Sequence, residues 1–387
     1  MPVINRIADY ANDMTAWRRH LHQNPELGFD CVKTAAFVAE RLREFGVDEI
    51  HEGIGQTGVV AIIEGQGEGP VIGLRADMDA LPMTEETGAE YASQIPGKMH
   101  ACGHDGHTAM LLGAARYLAE TRRFRGRVAL IFQPAEEDGG GGQAMVKEGV
   151  IERFGISQIY ALHNSPSLPV GHFLTKAGPI MAADDTVRVY LTGKGGHAAY
   201  PDSCIDPIPA AVGMISAIQT IASRTVDPLS EIVVSITEIH AGTASNVIPE
   251  KCWFGGTIRS FSPEVRLKAE KRLEEIIQGH SLAYGVTSHI EFERGYPATI
   301  NSAKETAFAA DIAREISGDA AVNENGGREM GVEDFSYMLE KCPGSYLFLG
   351  QGEGPEVHHP GYDFNDEIAP IGASFFARLV ERAQPLR

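Results

Sequence analysis

Met99-His100-Ala101-Cys102-Gly103-His104-Asp105-Gly106-His107-Thr108 puts three histidines, a cysteine and an aspartate into ten residues, and no other stretch is so dense in metal-ligating side chains. Gly103 and Gly106 let the backbone turn tightly enough for Cys102 and His104 to aim at one point, as a thiolate and an imidazole sharing a metal must. The apolar run Ala109 to Leu118 predicts a helix starting directly after. The ligands then sit at a helix N-terminus, where the macrodipole favours a thiolate. The competing reading is a polar loop with a buried cysteine; the density of donors favours the metal. Two ligands do not complete a site, so the others must come from elsewhere in the chain.

Upstream, Val71 to Ala76 reads as a buried strand leading into Asp77-Met78-Asp79, at the carboxyl end where α/β proteins place function. Asp77 and Asp79 alternate with apolar residues and face one side. Asp79 is placed to orient a ligand histidine from behind, the alternative being a turn cap. Downstream, the strand Gly126 to Phe132 runs into Gln133-Pro134-Ala135-Glu136-Glu137-Asp138 and four glycines. Two neighbouring carboxylates held away from water need a compensating cation; in a solvated acidic loop they need none. Ile159 to Leu162 is a short strand closing on His163-Asn164. A lone histidine there is usually a satisfied core residue, but beside the other strand-end donors it becomes a ligand candidate. His358-His359 on a Pro-Gly loop supplies a further imidazole. His20 and His22 flank a break between helices at Asn24 to Gly28 and read as packing or capping residues. Gly53 to Gly58 matches the dinucleotide fingerprint as a string, but a strand follows where that motif needs a helix.

From Thr186 to about Gly295 the pattern is strand, helix, strand, strand, helix, strand, the ferredoxin-like βαββαβ unit, inserted into the larger domain. The expected organisation is a catalytic domain of residues 1–183 and 296–387 interrupted by residues 184–295. Within the insert, His197 lies on a glycine turn, Asn246 precedes Val247-Ile248-Pro249, and Arg259 closes a strand. An imidazole, an amide and a guanidinium suit an oxyanion and a substrate carboxylate. At 387 residues, two domains are the natural division. A net charge of −19 repels phosphate backbones and anionic lipid, which argues against nucleic-acid or membrane partners. The N-terminal residues lack an apolar core of leader type, and five scattered cysteines form no disulfide framework, so a cytoplasmic protein is expected. Neither Gly-x-Ser-x-Gly nor His-Glu-x-x-His occurs, which argues against a serine hydrolase and another metallopeptidase class.

The chain resembles, essentially end to end, the dinuclear-metal amidohydrolases that include hippurate hydrolases, N-acyl-amino-acid amidohydrolases and plant auxin-conjugate hydrolases. The resemblance is carried by residues 18–27 (Arg-Arg-His-Leu-His-Gln-Asn-Pro-Glu-Leu), 75–82, 99–107, 132–137, 195–199, Asn246 to Pro249, Glu333-Asp334-Phe335 and His358-His359-Pro360. It implies a zinc-exopeptidase-like α/β catalytic domain with an inserted ferredoxin-like lid and dimerisation domain. It also implies two divalent metals per chain, zinc or manganese with nickel or cobalt as further candidates. Their ligands would be Cys102, His104, Glu137, His163 and His358, with Cys102 bridging; the family's His-x-Pro spacing selects His358 over His359. Glu136 would be the general base and His197 an oxyanion donor, reached through lid closure and across a dimer interface. Asn246 and Arg259 would hold the carboxylate of a small N-acyl amino acid, in a homo-oligomer, dimer or tetramer. A non-catalytic zinc-binding protein, the distant rival, would need the ligands but neither a spare carboxylate nor a second domain bearing His-Ala-Ala.

Overall fold

Predominantly apolar runs build strands that are covered on both faces. In the computed structural model, which describes residues 3–386, four such strands lie side by side and parallel. Their order is Arg127–Gln133, Val71–Asp77, Ile156–Ser165 and Gly344–Gly350. The antiparallel strands Gly58–Glu64 and Glu49–Ile54 extend the sheet on one side. Phe173–Leu174 and Val322–Asn323 extend it on the other, giving the eight-stranded mixed sheet of an α/β protein. From Val71–Asp77 the chain goes first to the neighbour on one side and then to the neighbour on the other, so the winding reverses there. The carboxyl ends of these strands therefore open on one crevice, where open α/β sheets bind ligands.

The helix following Val71–Asp77 starts at His104, five residues before the apolar run, and extends to Thr121. Gly103 precedes it in the left-handed region, φ +93°, so the tight turn predicted there is real and His104 lies on the first helical turn. Gly106 serves a different end from the one expected. It lies inside the helix, and a Cβ on it would come within 2.2 Å of the Phe364 ring, so its smallness is needed for packing. Ala109 to Leu112 and Ala114, Ala115 and Leu118 are buried, and the helix packs against Ala369–Ala383, which contributes Phe375, Phe376 and Leu379 to the same core. The strand at Ile156–Ser165 is longer than its apolar stretch because it pairs as far as Ser165 with Gly350. His163 and Asn164 are consequently inside the strand, on opposite faces of the sheet.

A second compact unit comprises Met181–Thr299 and, in addition, Arg328–Glu333. Six residues carry no periodicity that could announce that return; main-chain bonds from the Ala182 N–H to the Glu329 and Gly331 carbonyls tie it in. The antiparallel sheet has the order Ile232–Ala241, Lys251–Ser260, Ala183–Thr192, Thr287–Arg294, the ferredoxin-like arrangement. Its helices, Pro207–Ile218 and Pro263–Tyr284, bury Met214, Leu273, Ile276 and Ile277 against Val187, Val189 and Phe254. The first helix stops at Ile218 rather than Ser223. There the hydroxyls of Thr220, Ser223 and Thr225 donate to main-chain carbonyls, and a π turn replaces the α geometry over Ile221–Thr225. Among the described residues, no helix is long and apolar enough to cross a membrane.

Candidate metal centre

Three segments of the first unit converge with Cys102 at their meeting point. Ligand atoms of Cys102, His104 and His163 lie within 4.8 Å of one another, and so do those of Cys102, Glu137 and His358, so the one sulfur belongs to both groups. His104, Glu136 and Glu137 form a third group. The Cys102 Sγ is 3.4 Å from His163 Nε2, and Glu137 Oε1 is 3.2 Å from His358 Nε2 and 3.8 Å from His104 Nε2. His359 points elsewhere, its Nδ1 accepting the Gly361 N–H.

The main chain sets the rings. His104 Nδ1 donates to the Asp79 carbonyl at 2.9 Å, and His163 Nδ1 donates to the Asn164 carbonyl at 2.7 Å. Each Nε2 is thereby turned toward the ligand groups, the arrangement a metal-binding imidazole uses. His104 Nε2 and Glu137 Oε1 are buried without a hydrogen bond. Orphaned donor atoms of this kind, facing a thiol and further imidazoles, fit divalent metal.

Asp79 also receives the backbone N–H groups of Glu136 and Glu137, so the carboxylates project from a turn fastened beneath them. Ala135 begins that turn at φ +55°.

Behind the ligands lies a shell that the sequence motifs contained without revealing. His107 Nδ1 is 2.6 Å from Asp77 and its Nε2 is 2.7 Å from Asn164 Oδ1, so both ring nitrogens are engaged and the ring packs against His163. The buried Arg75 guanidinium bonds Asp77, Gln133 and Asp334, while Asp334 also accepts the Gly142 N–H. This joins both ends of the glutamate turn to the strand Val71–Asp77. The only available signal was polar residues placed among apolar ones in Leu74 to Met78 and Ile131 to Pro134.

Without an ion, burial together with Glu137, Glu136 and Asp77 pushes the Cys102 thiol well above its usual range. Burial opposes charge on His104, yet Asp77, Asp79 and Glu137 hold it up at about 10. Burial drives His163 well below its ordinary value, with His107 adding to the effect. Burial resists ionisation of Glu137, but His358 and His104 draw its carboxyl down. A pocket of anions that keeps protons on a thiol and an imidazole is one in which a cation relieves the repulsion.

In the second unit, the exposed His197 lies on the two-residue strand Gly196–His197, which pairs with Val247–Ile248, and the Asn246 carbonyl accepts the Ala198 N–H. Arg259 is elsewhere on that unit's sheet, opposite Asp184, with one guanidinium nitrogen buried and without a hydrogen bond.

Residues 73–382 match peptidase family M20/M25/M40. The chain belongs to that family. Among M20 relatives, the hippurate hydrolase of Campylobacter jejuni is 39% identical over 98% of both chains. The N-acetyl-L-cysteine deacetylase of Bacillus subtilis is 42% identical over 95% of this chain and 87% of its own. A crystal structure of a dinuclear metal-binding M20 peptidase from Bacillus subtilis superposes with a TM-score of 0.86 at 35% identity, covering 96% of this chain and 98% of the other. This chain is thus a metal-dependent amidohydrolase of the M20 family, its candidate ligands at the carboxyl ends of the central strands.

Proposed function

We propose that the protein hydrolyses the amide bond of small N-acyl amino acids of the hippurate type, releasing a carboxylic acid and a free amino acid. Two divalent metals, zinc or manganese, would be held by Cys102, His104, Glu137, His163 and His358. The observation that carries this reading is the Cys102 sulfur common to two ligand groups, with Glu136 grouped alongside His104 and Glu137. A shared sulfur suits a bridging thiolate, and a further carboxylate beside the ligands suits water activation rather than storage. The names of the hippurate hydrolase and the N-acetyl-L-cysteine deacetylase support an acylated amino acid as substrate. N-acetyl, long-chain acyl and indole-acetyl amino acids call for the same chemistry with a different acyl pocket.

When bound, the metals supply Lewis acidity, lowering a water's pKa from about 15.7 to about 7 and polarising the scissile carbonyl. The chain's own groups handle the proton and the orientation. Glu136 takes the proton from the attacking water and returns it to the leaving nitrogen. His197 donates to the developing oxyanion, and Arg259 and Asn246 hold the free carboxylate. Arg259 pairs with Asp184 at one end of the second unit's sheet, whereas Lys251, near the His197 turn, pairs with Thr192 at the other. Eight residues of strand span roughly 25 Å. That exceeds the length of a small N-acyl amino acid, which supports His197 and Asn246 acting on a site other than the one their own Arg259 serves. We infer a homodimer in which they reach the partner copy's substrate. None of the five cysteines is joined in a disulfide, which suits a cytoplasmic location.

The test is a panel of benzoyl, acetyl, long-chain acyl and indole-acetyl amino acids assayed for released amine. Release that stops on chelation and returns with zinc or manganese supports the reading. Metal binding without release from any member, or release from chelated protein, overturns it.

A further inference from the structure

Of the five proposed ligands, His358 is the least supported by its own surroundings. It lies between the strand ending at Gly350 and the helix starting at Ala369, and its side chain is 52% exposed. Its backbone is left-handed, φ +63°, a conformation that a residue with a Cβ adopts at a cost. Two main-chain bonds position the loop near the cysteine motif, from the His358 N–H to the Ala101 carbonyl at 2.7 Å and from the Glu86 N–H to the Pro360 carbonyl at 2.8 Å. Both bonds lie at or before Pro360; beyond it the Tyr362 hydroxyl accepts from Asn164, and Gln351 donates to the Asp363 carbonyl.

Beyond His358, the loop's two aspartates converge on one buried cation. Arg18, 1% exposed, donates Nε and Nη2 to the two oxygens of Asp366 at 2.7 and 2.9 Å, and Nη1 to Asp363 at 3.2 Å. Tyr91 lies under the guanidinium at 4.5 Å and donates its hydroxyl to Asp363. The same Nη1 is 3.9 Å from Asp105, which follows His104 on the first turn of its helix and accepts from His22 Nδ1 at 2.8 Å. One guanidinium therefore joins the segment that presents His358 to the helix start that presents His104. A planar fork with bidentate bonds fixes direction as well as distance, which an ammonium in its place would not do.

Resting on the ligand reading above, we propose that Arg18 is a positioning residue for the half of the metal centre formed by Cys102, Glu137 and His358: it holds the Asp363–Asp366 segment against the His104 helix so that His358 meets Glu137. The half formed by Cys102, His104 and His163 has its rings fixed by the Asp79 and Asn164 carbonyls, so it keeps its geometry when Arg18 is changed. The motif at residues 18–27 thereby acquires a function beyond packing.

The test is titration of metal-free protein with Co(II), reading stoichiometry by equilibrium dialysis and the thiolate-to-cobalt absorption, for wild type, Arg18→Lys, Asp366→Asn and His358→Ala. Asp366 is partly exposed, so its variant guards against misfolding at the buried arginine; circular dichroism checks the fold of each. The expected result is that the first equivalent binds as in wild type with its sulfur absorption intact, while the second binds at least about tenfold more weakly in Arg18→Lys and Asp366→Asn, as in His358→Ala. A second equivalent lost in His358→Ala but unchanged in the other two overturns the positioning role alone. Undiminished binding in His358→Ala overturns the ligand reading and this role with it. Parallel weakening of both equivalents in Arg18→Lys and Asp366→Asn also overturns the proposal, since it marks general structural damage.

Discussion

Asp79 accepts the backbone N–H of Glu136 at 3.0 Å, and its second carboxylate oxygen accepts that of Glu137 at 3.1 Å. Its own carbonyl takes the Nδ1–H of His104. One residue thus supports the turn that carries both glutamates and the ring that faces them. Burial raises the Asp79 carboxyl above its ordinary value, and the bonds from His104 and the Glu136 N–H offset part of that cost.

Asp79→Asn leaves a single acceptor oxygen for two buried N–H groups. Metal affinity is expected to fall about 10–100-fold, with kcat falling alongside. A metal-buffered titration measures the first and steady-state kinetics the second; wild-type affinity in the variant removes Asp79 from the support of the site.

The neighbouring glutamates should fail in different ways. Glu137→Gln removes an anionic ligand, so metal content drops and excess metal restores part of the activity. Glu136→Gln keeps size and hydrogen bonding but cannot take a proton, so both metals stay while kcat falls by roughly 10²–10⁴ and added metal does nothing. Elemental analysis with metal-rescued rates distinguishes the two; the opposite pattern means that base and ligand are exchanged.

Metal affinity should rise with pH. In ion-free protein His104 is held up at about 10 and Cys102 remains a thiol, so both lose a proton before they can ligate. Binding is therefore expected to release protons, to strengthen from pH 6 toward pH 10 and to weaken on acidification. Calorimetry in buffers of different ionisation enthalpy counts the protons. An affinity independent of pH across that range contradicts the assignment of these two groups.

Mixing two inactive variants tests the dimer. If His197 serves the partner's site, a heterodimer of His197→Ala and Glu136→Gln contains one site with both residues intact, and subunit exchange should restore about a quarter of wild-type activity. If the mixture stays inactive after mass spectrometry has detected heterodimers, His197 acts within its own chain.

Local chemistry determined a good deal of this protein without reference to the fold. Density of donors singled out Cys102 and His104, and apolar runs ending in polar residues marked Val71–Asp77 and Arg127–Gln133 as strands with chemistry at their ends. Strand and helix periodicities also identified the ferredoxin-like unit, because each is a short-range pattern of side chains facing a core. Tertiary structure decided what depends on residues far apart. His163 lies within its strand because Gly344–Gly350 pairs alongside it, and Gly106 must be glycine because of a phenylalanine 258 positions later. Arg18 looked like one of two adjacent arginines on a helix, and its partners are Asp363 and Asp366. That Cys102 stays a thiol in the ion-free protein is set by buried carboxylates that other strands bring beside it. Periodicity is set by neighbours in sequence, whereas burial, charge compensation and close contact arise only when distant segments meet.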